Sequence, residues 1–177
     1  MSKPHLLLAK DYWQSHLKPS DFAIDATCGN GHDTLFLSQR LPQGTVFALD
    51  IQENAIQKTK ERLSGAANVH YFCQSHAHLK ALPLPSPPQL IVYNLGYLPG
   101  GDKSITTMTE KTLESIGEAL SILDENGALS ITCYPGHEEG MREEEEILSF
   151  LKTLACKMTY HQWDKPKAPS LLWIQTK

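Results

Sequence analysis

The feature that most constrains the fold is the alternation of short apolar runs with segments of helical periodicity. Seven runs are typical of buried strands: 21–28, 45–51, 69–75, 90–96, 127–135, 157–163 and 170–177. Apolar residues at helical spacing fill 33–41, 52–63, 109–123 and 141–155, and a further helical segment, 5–17, precedes the first strand. This alternation predicts an α/β fold, with a mostly parallel seven-stranded sheet and helices on both faces. Little chain separates the last two runs, so we expect the last strand to be antiparallel.

Length and charge narrow the class of protein. A chain of 177 residues favours one domain, here 1–177, with 1–20 as an N-terminal helical extension. The formal net charge of −4 argues against a globally basic nucleic-acid binder, although a local basic patch is compatible with it. The apolar stretch near the N-terminus is too short for a signal peptide or a membrane span. These features predict a cytoplasmic protein.

Neither cysteine nor histidine spacing predicts a metal site. The four cysteines are far apart and form no CxxC pair, so zinc-ligand spacing is absent. His76 and His78 are two residues apart, which does not align them on one helix face, and no third ligand is evident. We therefore predict reduced cysteines and no metal.

The segment DATCGNGHDTLFL, residues 25–37, joins the first strand to the following helix. Ligands of doubly wound sheets bind beyond the carboxyl ends of the strands, where this turn lies. Gly29 and Gly31 can adopt positive φ and let the backbone approach a ligand closely. Asp33 or Thr34 is expected to cap the helix. The segment therefore predicts a ligand-binding loop.

An acid at the end of the second strand points to a nucleoside. Asp50 can accept hydrogen bonds from both ribose hydroxyls. The third glycine of a dinucleotide motif is replaced by Thr34, and Asp25 would repel a pyrophosphate but suits an ammonium group. S-adenosylmethionine (SAM) carries such a group beside its sulfonium. The alternative is a helix cap with an exposed acid at a strand end.

The same residues resemble the class I SAM-dependent methyltransferases, whose first motif is an acid followed by three alternating glycines. Asp25, Gly29 and Gly31 match that motif, while Thr27 replaces the first glycine. The strings DATCGNGHDTLFL and NLGYLPGGDK together resemble a narrower group, the small bacterial family labelled putative rRNA methylases, which includes a tRNA 5-aminomethyl-2-thiouridine methyltransferase. The resemblance implies a Rossmann-like sheet, SAM as methyl donor and the wobble uridine of certain tRNAs as acceptor.

The resemblance also implies roles for individual cofactor-binding residues. Three of them line the methionine end of SAM: Asn30, His32 and Asp33. Asp50 takes the ribose and Gln52 lies beside the adenine, whose edge is near Ser75 and His76. Asn94 ends the fourth strand, where the reactive methyl points. Each has a simpler interpretation: His32 as a helix cap, Gln52 as a solvated residue and His76 as part of a surface helix.

The segment after the fourth strand is expected to hold the acceptor. An aliphatic amine must lose a proton before it attacks the methyl, so we expect Asn94 to position it and Asp102 to orient it or act as base. Tyr97 is a candidate for stacking on the base. Further substrate-binding candidates are Gly100, Gly101, Lys103, Thr106, Tyr134 and His137. Helix capping is the alternative for Thr106, and a loop without a role for His137.

RNA contact is the remaining sequence-based expectation. Lys157, Lys165 and Lys167 flank the last two strands near Trp163, which suits phosphate contact and base stacking but equally a solvated hairpin edge. The acidic run 143–146 is expected to be a solvated helix start. The expected partner is the anticodon region of tRNA, and a homodimer is one way to enlarge the surface that binds it. The alternative functions are methylation of rRNA or a small amine, nucleoside binding without catalysis, and dinucleotide-dependent oxidation.

Overall fold

A computed structural model describes residues 3–96 and 109–176, and places the predicted strands in one sheet. The strands are β1 (Phe22–Asp25), β2 (Thr45–Asp50), β3 (Val69–Cys73), β4 (Leu90–Asn94), β5 (Ala128–Cys133), β6 (Lys157–His161) and β7 (Ser170–Gln175). The helices are α1 (Pro4–His16), α2 (His32–Arg40), α3 (Glu53–Leu63), α4 (Thr109–Ile122) and α5 (Glu138–Lys152), and a short 3-10 helix spans His76–Ala81. The predicted α/β class is therefore confirmed.

The strand order is β3-β2-β1-β4-β5-β7-β6. Strands β1 to β5 pair in parallel, whereas β7 runs antiparallel to both β5 and β6, as predicted for the last strand. The order reverses between β1 and β4, which opens a crevice beyond their carboxyl ends. The crevice is the expected ligand position for an open α/β sheet.

Both faces of the sheet are covered. Along β1, Phe22 and Ile24 face the layer formed by α4, α5 and the 3-10 helix, while Ala23 faces the layer formed by α1, α2 and α3. This alternation follows from the period of two along a strand. Because each face is buried, the central strands β1 and β4 are apolar except at their last residues, Asp25 and Asn94.

Helix α1 is part of the core. Ala9, Trp13 and Leu17, at its C-cap, are buried beneath it, and Tyr12 stacks on Trp173 of β7 with ring centroids 4.8 Å apart. The segment expected as an extension therefore covers part of one face of the sheet. This position brings the beginning of α1 to the carboxyl edge, where it contributes to the site described below.

Two local predictions are wrong. The run 143–146 is not solvated throughout: α5 begins at Glu138, and this turns Glu143 and Glu144 inward to 5% and 9% exposure. Thr112 Oγ1 donates to Glu143 across 2.6 Å, and the hydroxyls of Ser170 and Tyr160 donate to Glu144. Gly31, rather than Asp33 or Thr34, is the N-cap of α2.

Candidate active site

Asp25, Asp50 and Asn94 are the last residues of three neighbouring strands, β1, β2 and β4. The parallel register places Asp25 opposite Ala48 and Val92, so these strand ends meet at one edge of the sheet. The residues that the sequence singled out are thus brought together by the fold.

Asp25 holds the loop from within. It is 1% exposed, and its two carboxylate oxygens accept hydrogen bonds from the backbone NH of Thr27 (3.3 Å) and from Thr34 Oγ1 (2.6 Å). Burial and the nearby Asp33 raise the pKa of Asp25 to about 7, and the two hydrogen bonds oppose that shift. The carboxylate therefore fixes the path of the loop between β1 and α2.

The glycines of this loop adopt the conformation that the sequence predicts. Gly29 and Gly31 have φ values of 52° and 79°, a region that favours glycine. A Cβ on Gly31 would lie 2.9 Å from the Cα of Thr59, in α3. Thr59 Oγ1 also donates to the carbonyl of Gly29 across 3.0 Å. Helix α3 therefore supports the loop at close range.

Asp50 joins this loop to β2. Its carboxylate accepts from the backbone NH of Gly29 (3.0 Å) and from that of Gln52 (2.9 Å), which is the N-cap of α3. Burial raises the pKa of Asp50, and these backbone hydrogen bonds counteract part of the rise. A half-buried carboxylate fixed at two NH groups has lone pairs left for a ribose.

Asn94 is held from two directions. Its backbone NH donates to Thr27 Oγ1 across 2.7 Å, and its Nδ2 donates to Asp33 Oδ2 across 3.0 Å. The first contact explains why Thr27 replaces the first glycine of the methyltransferase motif, because glycine has no side-chain oxygen to accept this hydrogen bond. Tyr134 follows β5 and lies beside Asn94, and burial raises the pKa of its hydroxyl. Asn94 is thus the centre of a polar network.

Helix α1 supplies residues that the sequence analysis missed. Lys10 Nζ lies 3.8 Å from Asp33 Oδ1, and the ring of His5 meets that of Tyr134 edge-on with centroids 5.8 Å apart. His5 is 5% exposed, and burial lowers its pKa. No local motif marks these residues, since only the packing of α1 brings them here.

The remaining candidates have varied surroundings. His32 is the exposed first residue of α2, and burial lowers its pKa modestly. Ser75 caps the 3-10 helix by accepting a hydrogen bond from the NH of Ala77.

His76 is buried against Tyr93, and burial lowers its pKa to about 4. Its Nδ1 has no hydrogen-bond partner within residues 3–96 and 109–176. His137 is exposed and caps α5 through Nδ1. Asn30 is half-buried in the loop.

Six candidates lie outside the described residues: Tyr97, Gly100, Gly101, Asp102, Lys103 and Thr106. In the part of the chain that the structure describes, no three His, Cys, Asp or Glu side chains form a group that could hold a metal ion. Nor does any described helix have the length and apolarity needed to cross a membrane.

The strand order, the glycine loop after β1 and the acid ending β2 define a class I SAM-dependent methyltransferase. A solved structure from Clostridium thermocellum, a "putative rRNA-methylase", matches with a TM-score of 0.93 and 32% identity over 99% of this chain and 98% of its own. A "putative methyltransferase" from Streptococcus mutans, solved with S-adenosylhomocysteine, matches with a TM-score of 0.87 and 33% identity over 99% of both chains.

The family model described as "Putative rRNA methylase" matches residues 46–175, and the chain belongs to this family. The chloroplastic tRNA (mnm(5)s(2)U34)-methyltransferase of Arabidopsis thaliana is 34% identical over 92% of this chain. The chain spans 65% of the length of that relative. SAM is the methyl donor of this enzyme.

Proposed function

We propose that this enzyme transfers a methyl group from SAM to the 5-aminomethyl nitrogen of 5-aminomethyl-2-thiouridine at the tRNA wobble position. The product is 5-methylaminomethyl-2-thiouridine. The Arabidopsis relative supports this substrate by its name. The observation that carries the proposal is the Asn94–Asp33 hydrogen bond, because it fixes the orientation of an amide at the end of β4, where we propose that the acceptor nitrogen binds.

Residues at the strand ends would hold the cofactor. Asp50 accepts hydrogen bonds from the ribose, with Gln52 beside the adenine, and Ser75 and His76 at the adenine edge. Asn30, His32 and Asp33 line the methionine end, together with the loop that Asp25, Thr27, Gly29 and Gly31 shape. When bound, SAM supplies a methyl group activated by its sulfonium. The protein mainly positions an uncharged nucleophile in line with that methyl.

The network around Asn94 suits a primary amine. Asp33 occupies the Nδ2 end of the amide, so Oδ1 is the end that can accept a hydrogen bond from the acceptor nitrogen. A free aliphatic amine is protonated near neutrality, much as lysine is, and desolvation lowers its pKa. Asp33 would attract the incoming ammonium, and either Asp33 or Asp102, which lies outside the described residues, would take its proton before attack.

The substrate is tested by mass analysis of tRNA nucleosides after incubation with purified enzyme and SAM. The starting tRNA carries 5-aminomethyl-2-thiouridine, and parallel reactions contain tRNA without the aminomethyl group and deproteinised rRNA. We expect conversion of the first tRNA alone. Conversion of rRNA with the tRNA unchanged would favour the activity in the family's description and overturn the proposal.

A further inference from the structure

The loop between β6 and β7 lies at the active-site edge of the sheet. Because β7 is antiparallel to β5, its first residue, Ser170, pairs with Cys133 at the carboxyl end of β5. His161 pairs with Leu171, so β6 also ends at this edge. Residues 162–169 therefore lie beside the segment that follows β5.

Strand direction separates the three lysines that the sequence analysis grouped. Lys165 and Lys167 belong to this loop and are exposed. Lys157 is also exposed, but it begins β6 and pairs with Gln175, at the opposite edge of the sheet. Only the first two lysines can therefore contact a substrate that enters the active site.

A chain of side chains connects this loop to the reaction centre. Tyr134 lies beside Asn94 and meets the ring of His5 edge-on, with centroids 5.8 Å apart. The ring of His5 in turn meets that of Trp163 at 6.0 Å, with the rings inclined at 71°. Trp163 is half-buried, so part of its indole remains accessible. Ring contacts thus link the loop, through the buried His5, to Tyr134 beside Asn94.

The backbone of the loop has a defined shape. Its turns are closed by hydrogen bonds from the NH of Lys165 to the carbonyl of Trp163 (2.7 Å) and from the NH of Ala168 to the carbonyl of Lys165 (3.0 Å). Lys167 adopts a φ of 61°, uncommon for a residue with a side chain. The backbone at both lysines is therefore constrained. Among the described residues, neither ammonium group forms an ion pair within 4 Å.

We propose that Trp163, Lys165 and Lys167, together called the RNA-docking surface, hold the single-stranded nucleotides that flank the target uridine. The lysines contact phosphates, and the indole stacks on one neighbouring base. The inference rests on the proposed function and specifies where its tRNA is held. Asp164 and Glu145 are exposed close by, and their negative charges repel phosphates. The surface therefore makes few phosphate contacts, and its affinity depends on stacking as well.

The lysines are tested by fluorescence anisotropy with a labelled anticodon stem-loop RNA, measured without SAM across a salt series. We expect Lys165→Ala/Lys167→Ala to raise the Kd about three- to tenfold and to reduce the slope of log Kd against log salt by roughly 1.4, which is about 0.7 for each single-strand contact. The control, Lys157→Ala, removes one positive charge from the far end of the same hairpin and should leave both values unchanged. Equal effects in the two variants, or none in the double variant, would overturn the proposal.

Stacking is tested by Trp163→Ala and Trp163→Phe in the same assay. We expect the alanine variant to raise Kd at least about fivefold and the phenylalanine variant to recover most of that loss. Thermal melting checks that both variants fold, and the lysine pair carries the test if the alanine variant does not. An alanine variant that folds and binds like the wild type would remove Trp163 from the surface.

The surface and the proposed function can fail separately. If the wild type binds the stem-loop through this loop but does not methylate modified tRNA, the proposed function alone is wrong. If it methylates that tRNA with the same KM in the double variant, the surface alone is wrong. Titration with SAM in the absence of RNA should give the same Kd for all these variants, because among the described residues the ring contact and hydrogen bonds of these three side chains and their backbone reach no residue assigned to the cofactor.

Discussion

Asn94 donates from Nδ2 to Asp33 Oδ2 across 3.0 Å, which ties the end of β4 to the first turn of α2. Because Nδ2 faces Asp33, Oδ1 faces away from it. The hydrogen bond therefore fixes the orientation of the amide and leaves Oδ1 as its acceptor atom. Lys10 Nζ lies 3.8 Å from the other oxygen of Asp33 and forms an ion pair with that carboxylate. A side chain of α1 thereby takes part in positioning a residue of β4.

Asn94→Ala should abolish most turnover while SAM still binds. Losing the atom that aligns the amine is expected to lower kcat about 100-fold, whereas the Kd for SAM should change less than about threefold. Single-turnover methylation and calorimetry measure the two values. Asn126→Ala, at an exposed turn, is the control variant. Normal turnover in Asn94→Ala would exclude Asn94 from the mechanism.

Asp50→Ala should weaken SAM binding by about 10- to 100-fold, because it removes a charged acceptor of the ribose hydroxyls and an anchor of the glycine loop. Acidification protonates the Asp50 carboxylate, so the wild type should lose affinity for SAM as pH falls. Because burial raises the pKa of Asp50, this loss should begin at a higher pH than it would for a solvent-exposed aspartate. Calorimetry across pH measures both effects. An alanine variant with wild-type affinity would contradict this role.

Thr34→Val should destabilise the protein by about 1–3 kcal/mol, because it removes the hydroxyl that donates to the buried carboxylate of Asp25 while keeping the shape of the side chain. The loss of that bond should also raise the pKa of Asp25 further above about 7. Urea unfolding measures the change. Thr34→Ser retains the donor and should lose less stability, so equal losses in the two variants would argue against the hydrogen bond.

Glu143→Gln should stabilise the protein at alkaline pH relative to the wild type. Burial raises the pKa of Glu143 from 4.5 to about 7, so the folded state binds an extra proton between these values. The stability that the protonated form provides is present below about pH 4.5 and is lost as pH rises through about 7. Glutamine still accepts from Thr112, and the variant should gain about 2 kcal/mol between pH 5 and 8. Parallel pH profiles for the two proteins would contradict the shifted pKa.

Gly31→Ala should destabilise the protein by more than about 2 kcal/mol, because the residue has a φ of 79° and its Cβ would lie 2.9 Å from the backbone of Thr59. Gly117→Ala is the matched control, since a Cβ there meets nothing within 4 Å in α4. That control should stabilise the helix by up to about 1 kcal/mol. Thermal melting compares the two, and equal effects would mean that the loop tolerates a side chain.

Local sequence patterns were sufficient for the elements and for much of the site. Apolar periodicity located the strands and helices, because side-chain spacing repeats every two residues in a strand and about every 3.6 in a helix. The glycine loop and Asp50 were found for the same reason: their geometry is set within one strand–turn–helix unit. The sequence also indicated a parallel sheet with an antiparallel last strand, which the structure confirms.

Tertiary structure decided what depends on neighbours that are distant in the chain. It buried Asp25 within its loop, turned Glu143 and Glu144 into the core, and brought Lys10 to Asp33. It also separated Lys157 from Lys165 and Lys167, since strand direction determines at which edge a residue lies. Burial and electrostatic contact are properties of the packed chain, and no spacing along one segment encodes them.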